Sequence, residues 1–277
     1  MKLLDIDRQA FAASFGSACF TLRHRLAGHF LFSLERLVAL SRALPADKVE
    51  YNAGDLPISQ DPGKTPRNGL SPEETIRRIR ECRSWLVLKN VERDPAYRVL
   101  LERCLAEVNA LRGTPAPPMS DKHGFIFVSS PGAVTPYHMD PEENFLLQIR
   151  GRKTMHVFEP ADRAVLSEQE IERFFSGAHR NLVFREEYRP RAQAFELTPG
   201  LAVHVPLAAP HWVQNGPEVS VSFSITFQTP ASMCRQHAHR MNARLRRLGV
   251  EPRPVGQSPL RDNLKQLCYR VVRAASA

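Results

Sequence analysis

Residues 134–153 of this chain read VTPYHMDPEENFLLQIRGRK, and they contain two candidate metal ligands, His138 and Asp140. In a β-strand, side chains at i and i+2 point to the same face, so this spacing lets the two residues converge on one ion. A third candidate, His211, follows in residues 206–212, PLAAPHW. Two imidazoles and one carboxylate leave coordination positions open, and they are the ligand set of non-haem Fe(II) oxygenases.

The composition is that of an ordinary globular protein of 277 residues, 43% hydrophobic and 24% charged. No run of 18 apolar residues occurs, so we expect no membrane span. Asp5 and Asp7 stand where a signal peptide would have its apolar core, so we expect no signal peptide. The five cysteines are scattered and lack CxxC spacing, which favours free thiols in a reducing compartment. The sequence therefore predicts a cytoplasmic protein.

The basic residues are concentrated in the C-terminal part. After residue 230, ten Lys and Arg residues oppose two acids, which gives +8 of the net charge of +9. Such a region can bind phosphates, but Met233, Met241, Leu245 and Leu248 recur among the arginines at roughly helical spacing. We therefore expect helices that bury these four side chains and dock or dimerise. We do not favour nucleic-acid binding by this region.

The first 120 residues are predicted to be mainly helical. Apolar residues recur at helical spacing over residues 27–44, and residues 71–74, SPEE, have the form of a capping box. Asp94 and Pro95 can begin a further helix that ends near Leu111. Strand and loop candidates in this region are residues 84–88 and residues 52–68, respectively.

From residue 123 the period of the apolar residues changes to two, which is typical of strands. A capping box at residues 167–170 predicts one short helix within this β region. The strand candidates are residues 124–129, 133–140, 144–149 and 154–158, with further strands near residues 194, 202, 212 and 219.

Many short strands with Pro and Gly turns predict a mainly β fold with flanking helices, closed or built from two sheets. We therefore divide the chain into three regions. Residues 1–120 form a helical region that packs on the core, residues 121–229 form the β core with the metal ligands, and residues 230–277 form a basic helical region.

The stretch 134–153 resembles the centre of the JmjC, or cupin-like, 2-oxoglutarate oxygenases. Within that family it is especially similar to the asparaginyl hydroxylase of hypoxia-inducible factor. Thr135 lies three residues before the first histidine, Asn144 six after it and Lys153 fifteen after it, as in the family pattern. Pro206 stands five residues before His211, which also matches.

The resemblance implies a double-stranded β-helix, or jelly-roll, core and a role for each matching residue. His138, Asp140 and His211 would bind Fe(II), and the cosubstrate 2-oxoglutarate would be bound by four further residues. These are Lys153, Thr135, Asn144 and Thr226. The implied reaction is hydroxylation of a protein side chain or a small molecule, and the implied assembly is a homodimer through the C-terminal helices.

Two other functions stay open. One is a non-catalytic cupin-like protein that binds a metal or ligand in a regulatory role, and the other is an oxygenase that modifies an RNA base. The hydroxyls of Ser222 and Ser224 can line the pocket, or they can face solvent or the sheet edge. We expect three other histidines, His123, His156 and His204, to be structural, and Tyr137 to pack against other side chains on the opposite face of its strand from His138.

Overall fold

The computed structural model describes residues 1–113 and 116–274. Its strands are β1 (Leu4–Asp5), β2 (Phe20–His24), β3 (Val49–Ala53), β4 (Ser84–Lys89), β5 (Ser120–Ser129), β6 (Val134–His138), β7 (Glu143–Arg150), β8 (Lys153–Val157), β9 (Gln193–Leu197), β10 (Leu201–Val205), β11 (His211–Asn215) and β12 (Ser220–Gln228). Its α-helices are α1 (Arg8–Ser14), α2 (Leu34–Ala43), α3 (Pro72–Arg77), α4 (Pro95–Leu111), α5 (Glu168–Phe175), α6 (Pro230–Arg247) and α7 (Pro259–Ala274).

The strands form two antiparallel sheets that face each other. The eight-stranded sheet has the order β1-β2-β10-β7-β12-β5-β4-β3, and the four-stranded sheet has the order β6-β11-β8-β9. From β5 to β8 successive strands alternate between the sheets, and β10, β11 and β12 do so again. Leu146 of the large sheet packs between the sheets against Met155, Phe195 and Val213 of the small one. The predicted jelly-roll core with flanking helices is confirmed.

The outer face of the eight-stranded sheet forms the main hydrophobic core. Alternation along β7 and β12 turns Phe145, Leu147 and Phe223 to this side, where they pack with side chains of the N-terminal helices, such as Leu37 and Leu101. Helix α4 begins after Asp94, whose carboxylate accepts the backbone N–H of Ala96, as the sequence predicts.

The N-terminal region contributes strands as well as helices. Strand β4 was predicted, but β1, β2 and β3 were not, and these four strands extend the large sheet at both edges. The predicted helix over residues 27–44 is shorter than expected and begins only at Leu34. Ser33 ends the preceding 3-10 turn and accepts the backbone N–H of Arg36 at the start of α2.

The C-terminal helices do not bury the predicted stripe of Met and Leu residues. Leu248 is 80% exposed, and Met233, Met241 and Leu245 are only partly buried. The buried residues of α6 are Ser232, Gln236, Ala238, His239 and Asn242. That expectation was wrong because α6 packs on α5 through polar contacts, such as the ion pair of Arg246 with Glu172. Residues 275–277 of the predicted C-terminal region lie outside the described residues.

In the part of the chain that the structure describes, every helix is too short or too polar to cross a membrane.

Candidate metal centre and its cavity

The three candidate ligands meet at one end of the small sheet. One ligand atom from each of His138, Asp140 and His211 lies within 4.8 Å of the others. Asp140 Oδ2 is 3.8 Å from His138 Nε2 and 3.7 Å from His211 Nε2. The cluster is formed because His138 ends β6 directly opposite His211, which begins β11.

A bulge in β6 gives this end of the strand its geometry. His138 pairs with His211 and Thr135 pairs with Val213, so three residue steps in β6 match two in β11. The extra residue brings Thr135 and His138 to the same cavity, although strict alternation would separate them. Asp140 lies beyond the strand end, so our expectation that one strand presents both His138 and Asp140 was wrong.

Backbone carbonyls orient both imidazoles. His138 Nδ1 lies 2.7 Å from the Pro136 carbonyl oxygen, and His211 Nδ1 lies 3.0 Å from that of Ala209. When Nδ1–H donates to the carbonyl, Nε2 keeps its lone pair and is directed toward Asp140. Burial lowers the pKa of both histidines, that of His138 well below its usual value, which favours the neutral form that metals bind.

Arg180 holds the third ligand and was missed in the sequence. Its Nη1 donates to Asp140 Oδ1 at 2.9 Å, which leaves Oδ2 directed at the histidines. Burial alone would raise the pKa of Asp140, but His138 and Arg180 lower it to about 2, so the carboxylate is ionised. Arg180 follows α5 by five residues, and no local motif marks it.

The ligands open into a cavity of about 280 Å³ between the two sheets. All seven residues assigned to the metal or the cosubstrate line it, namely Thr135, His138, Asp140, Asn144, Lys153, His211 and Thr226. Glu142, also on its wall, was not singled out. Burial and repulsion by Asp140 raise the pKa of Glu142 to about 8.

Lys153 is a buried cation in this cavity. It is only 6% exposed, and no acidic side chain within the described part of the chain forms an ion pair with it. Burial lowers its pKa to about 7. An uncompensated buried ammonium group is costly, so this wall fits the carboxylate of a small anion.

The inner face of β12 supplies hydroxyl groups. Ser224 Oγ donates to Asn144 Oδ1 at 2.8 Å, and Ser222 Oγ donates to Gln148 Oε1 at 2.6 Å. Thr226 lies opposite Asn144, and its buried Oγ1 has no hydrogen-bond partner among the described residues. These side chains therefore face the interior between the sheets, and the alternative that they face solvent does not hold.

The three histidines predicted to be structural lie outside the cavity and have other contacts. His123 pairs with Glu92 at 2.8 Å, and His204 lies 3.1 Å from Glu143 Oε2. His156 stacks on Trp212 at 4.0 Å between ring centroids. Tyr137 is 1% exposed and packs with Phe158 and Trp212 on the other side of the small sheet, as expected.

A second cavity, of about 510 Å³, joins the first and is called the entrance cavity below. Trp85, Phe125, Phe127, Thr135, His138 and Arg180 line both. The aromatic residues among these were not identified from the sequence. Phe125 and Phe127 alternate with core residues along β5, so period-two patterning could have shown that they lie on the inner face.

Comparisons with known proteins agree with this architecture. The lysine-specific demethylase 8 of Danio rerio is 30% identical over 102 residues, which make up 35% of this chain. The chain covers only 24% of that relative's length.

Two solved structures of YcfD from Escherichia coli share the fold. One has a TM-score of 0.57 at 18% identity and covers 100% of this chain, while this chain covers 70% of YcfD. The other, of YcfD as a ribosomal oxygenase in complex with cobalt and 2-oxoglutarate, has a TM-score of 0.54 at 19% identity, with coverages of 98% and 68%.

The particular similarity to the asparaginyl hydroxylase of hypoxia-inducible factor stays a prediction. The family itself is established by a family model for the cupin-like domain, which matches residues 48–233, 186 of the 277 residues. The chain therefore belongs to the cupin-like domain family.

Proposed function

We propose that this protein is an Fe(II)- and 2-oxoglutarate-dependent oxygenase that hydroxylates its substrate. The observation that carries the proposal is the unpaired, buried Lys153 in the same cavity as a two-histidine, one-carboxylate cluster. The cluster suits a divalent transition metal with open positions, and the ammonium group suits a diacid beside it. Both requirements of the reaction are thus met within one cavity.

The residues have separate roles in this proposal. Fe(II), with 2-oxoglutarate and oxygen as cosubstrates, would supply the oxidation that converts a substrate C–H bond into C–OH, while 2-oxoglutarate is converted into succinate and CO2. His138, Asp140 and His211 would hold the metal, with Arg180 fixing the carboxylate. The protein's further task is to position the reacting groups and exclude competing reactions.

The far wall of the cavity would bind the cosubstrate. Lys153 would form an ion pair with the distal carboxylate of 2-oxoglutarate, and Thr135 would donate a hydrogen bond to the same group. Asn144, held by Ser224, and Thr226, with its free hydroxyl, would contact the remainder of the molecule. The YcfD complex with cobalt and 2-oxoglutarate supports this use of the fold.

We propose a protein side chain as the substrate in preference to a small molecule, and a cytoplasmic location. The ribosomal oxygenase and the demethylase among the similar proteins support a protein substrate. All five cysteines are free thiols, which supports a reducing compartment.

The test measures metal binding and turnover separately. Purified protein is titrated anaerobically with Fe(II), then given 2-oxoglutarate and oxygen while succinate is quantified. We expect one metal per chain and succinate in the wild type, and neither in His138→Ala. The matched control His156→Ala, which loses a histidine outside the cavity, retains both. Metal and 2-oxoglutarate binding without succinate would instead identify the non-catalytic binding protein.

RNA modification is not favoured, because four of the ten basic side chains of the C-terminal region make contacts within the protein. Arg235 and Arg246 form ion pairs with Glu143 and Glu172. Arg240 and Arg244 lie over the ring of Tyr269. Salt-dependent RNA binding with a steep slope would contradict this interpretation.

We also propose a homodimer through α7. Leu260, Leu264, Leu267 and Val271 are 84%, 60%, 58% and 61% exposed, and their spacing of four, three and four residues places them on one helix face. Pairing with the same face of a second copy would bury this apolar surface. Light scattering should give a dimeric mass, and Leu264→Glu should give a monomer. The control Val99→Glu, at an exposed position of α4, should remain dimeric, and a monomeric wild type would contradict the proposal.

A further inference from the structure

The entrance cavity lies against an extension of the large sheet beyond the jelly roll. Strands β4 and β3 continue this sheet past β5, and alternation turns Trp85 and Val87 to the cavity side while Leu86 and Leu88 enter the main core. His138 lines both the entrance cavity and the first cavity, called the metal cavity here because it contains the three candidate ligands. A side chain lying in the entrance cavity can therefore reach the metal centre.

The floor of the entrance cavity is apolar and largely aromatic. Leu56, Trp85 and Val87 form a cluster of their own, and Phe125 and Phe127 pack against it while remaining partly exposed. Such a surface binds the flat or branched apolar body of a side chain, and its side chains offer no hydrogen-bond acceptor to a cationic group.

The side chains around this floor carry a net positive charge. Among the described lining residues there are three Lys or Arg side chains and one carboxylate. Lys89 Nζ lies 2.5 Å from that carboxylate, Glu50 Oε2, and Arg180 is paired with Asp140. Arg67 is exposed, and no acid of the described chain pairs with it. The entrance cavity thus has a free cation and no free carboxylate.

We propose, resting on the function proposed above, that this cavity selects a polypeptide segment whose target side chain is uncharged and apolar or aromatic, with an acidic residue close to it. A Lys or Arg target would lose its hydration on the aromatic floor, and no unpaired carboxylate among the described residues lines the entrance cavity to compensate its charge. A neighbouring Asp or Glu would be attracted by Arg67 at the rim, where charge complementarity sets specificity and association rate. The floor residues Trp85, Phe125 and Phe127 then determine which target side chain is accepted.

The experiment measures binding without requiring turnover. Fluorescein-labelled nonapeptides, carrying each of the twenty residues at the centre and either Glu or Lys on both sides, are added anaerobically to protein loaded with Zn(II) and 2-oxoglutarate. Fluorescence anisotropy reports affinity. We expect peptides with Phe, Tyr, Leu or Met at the centre and Glu beside it to bind at least about tenfold more tightly than those with central Lys or Arg. This ratio corresponds to about 1.4 kcal/mol.

A charge reversal at the rim tests the acidic neighbour. Arg67→Glu should weaken binding of the Glu-flanked peptide about three- to fivefold, as expected for an exposed ion pair, and strengthen that of the Lys-flanked peptide. Arg80→Glu is the matched control, because this exposed arginine lies outside both cavities, and it should change neither affinity.

The outcomes separate this inference from the oxygenase function. Tightest binding of peptides with central Arg or Lys, a preference for Lys flanks, or no peptide binding at all would overturn the inference. Selective binding as expected, with no succinate formed on reloading with Fe(II) and oxygen, would uphold the inference and reject the oxygenase. Succinate formation stimulated only by the cationic peptides would uphold the oxygenase and reject the inference.

Discussion

The eight-stranded sheet has two buried faces of opposite character, although the same strands form both. On β12, Phe223 and Ile225 point into the main core, whereas Ser224 and Thr226 point toward the metal cavity. All four are at most 4% exposed. Buried apolar side chains stabilise a fold, and buried hydroxyls stabilise it little. The difference indicates that the outer face maintains the structure and that the inner face is arranged for ligands.

The small sheet extends the same contrast. Its Met155 and Val213 pack between the sheets, but on the same strand as Met155 lies Lys153, a buried ammonium group. The protein without a ligand is therefore less stable than it could be, because it buries hydroxyl and ammonium groups that only a ligand would pair. Variants on each face should separate folding from binding.

The largest effect on folding should come from the outer face. Phe223→Ala removes a fully buried ring that packs against Phe32, and it should lower the free energy of unfolding by ~3–5 kcal/mol. Urea denaturation measures this loss, and calorimetry should find the 2-oxoglutarate affinity of the folded fraction unchanged. Ser224→Ala, the neighbouring inner residue, should lose only about 1 kcal/mol with its hydrogen bond. Equal losses would remove the distinction between the faces.

Lys153→Met should make the protein more stable and prevent cosubstrate binding. The pKa of Lys153 is lowered to about 7 in the folded state from 10.5, so between these values the unfolded chain binds a proton that the folded chain does not. Wild-type stability therefore rises across that window by about 1.4 kcal/mol per pH unit from this group, and the cost is fully present below pH 7.

The measurement compares urea denaturation of both proteins at pH 7 and pH 9.5. The free energy of unfolding of Lys153→Met should exceed that of the wild type by a large amount at pH 7 and by a smaller amount at pH 9.5. Its 2-oxoglutarate affinity should fall at least about 30-fold, because a buried ion pair is lost. A destabilised variant that still binds 2-oxoglutarate would show that Lys153 belongs to the structural part of the molecule.

Arg180 lies on neither sheet. A variant of this residue therefore tests whether the sheets alone position the metal ligands. Arg180→Ala removes the donor to Asp140 Oδ1 and should lower Co(II) affinity about 10- to 100-fold, as loss of a residue that orients a ligand usually does. Absorbance titration measures the affinity. Arg185→Ala, which removes a neighbouring exposed arginine paired with Glu187, is the control and should bind Co(II) normally.

The sequence predicted the site better than the elements that support it. His138 and Asp140 are close in the chain, and Lys153 lies fifteen residues after the first histidine, so one short stretch contains five of the seven residues assigned to the metal or the cosubstrate. Its exact geometry depends on a bulge in β6 and on Arg180, which only tertiary structure brings to Asp140. Neither has a local pattern.

Two of the three missed strands, β1 and β3, and the wrong helix face have related causes. Strand β1 has two residues, and every residue of β3, VEYNA, is half-buried, so no period-two alternation marks either. Pairing with β2 and β4 determines both. In α6 the Met and Leu spacing suggested a buried stripe, but ion pairs with α5 turned a polar face inward.

The smallest effect should come from Thr226, where the inner face has a hydroxyl group without a partner. Thr226→Val keeps the side chain's shape and removes the buried Oγ1, which no described residue satisfies, so the unbound protein should gain about 1 kcal/mol of stability. If Thr226 contacts 2-oxoglutarate, the affinity for 2-oxoglutarate should fall by about two- to tenfold, the value of one neutral hydrogen bond.

Ser222→Ala is the matched variant on the same strand, because Ser222 donates to Gln148 and does not line the cavity. It should lose about 1 kcal/mol and bind 2-oxoglutarate normally. Denaturation and calorimetry of this pair should give opposite results, and a Thr226→Val variant that behaves like Ser222→Ala would mean that this part of the inner face serves only the fold.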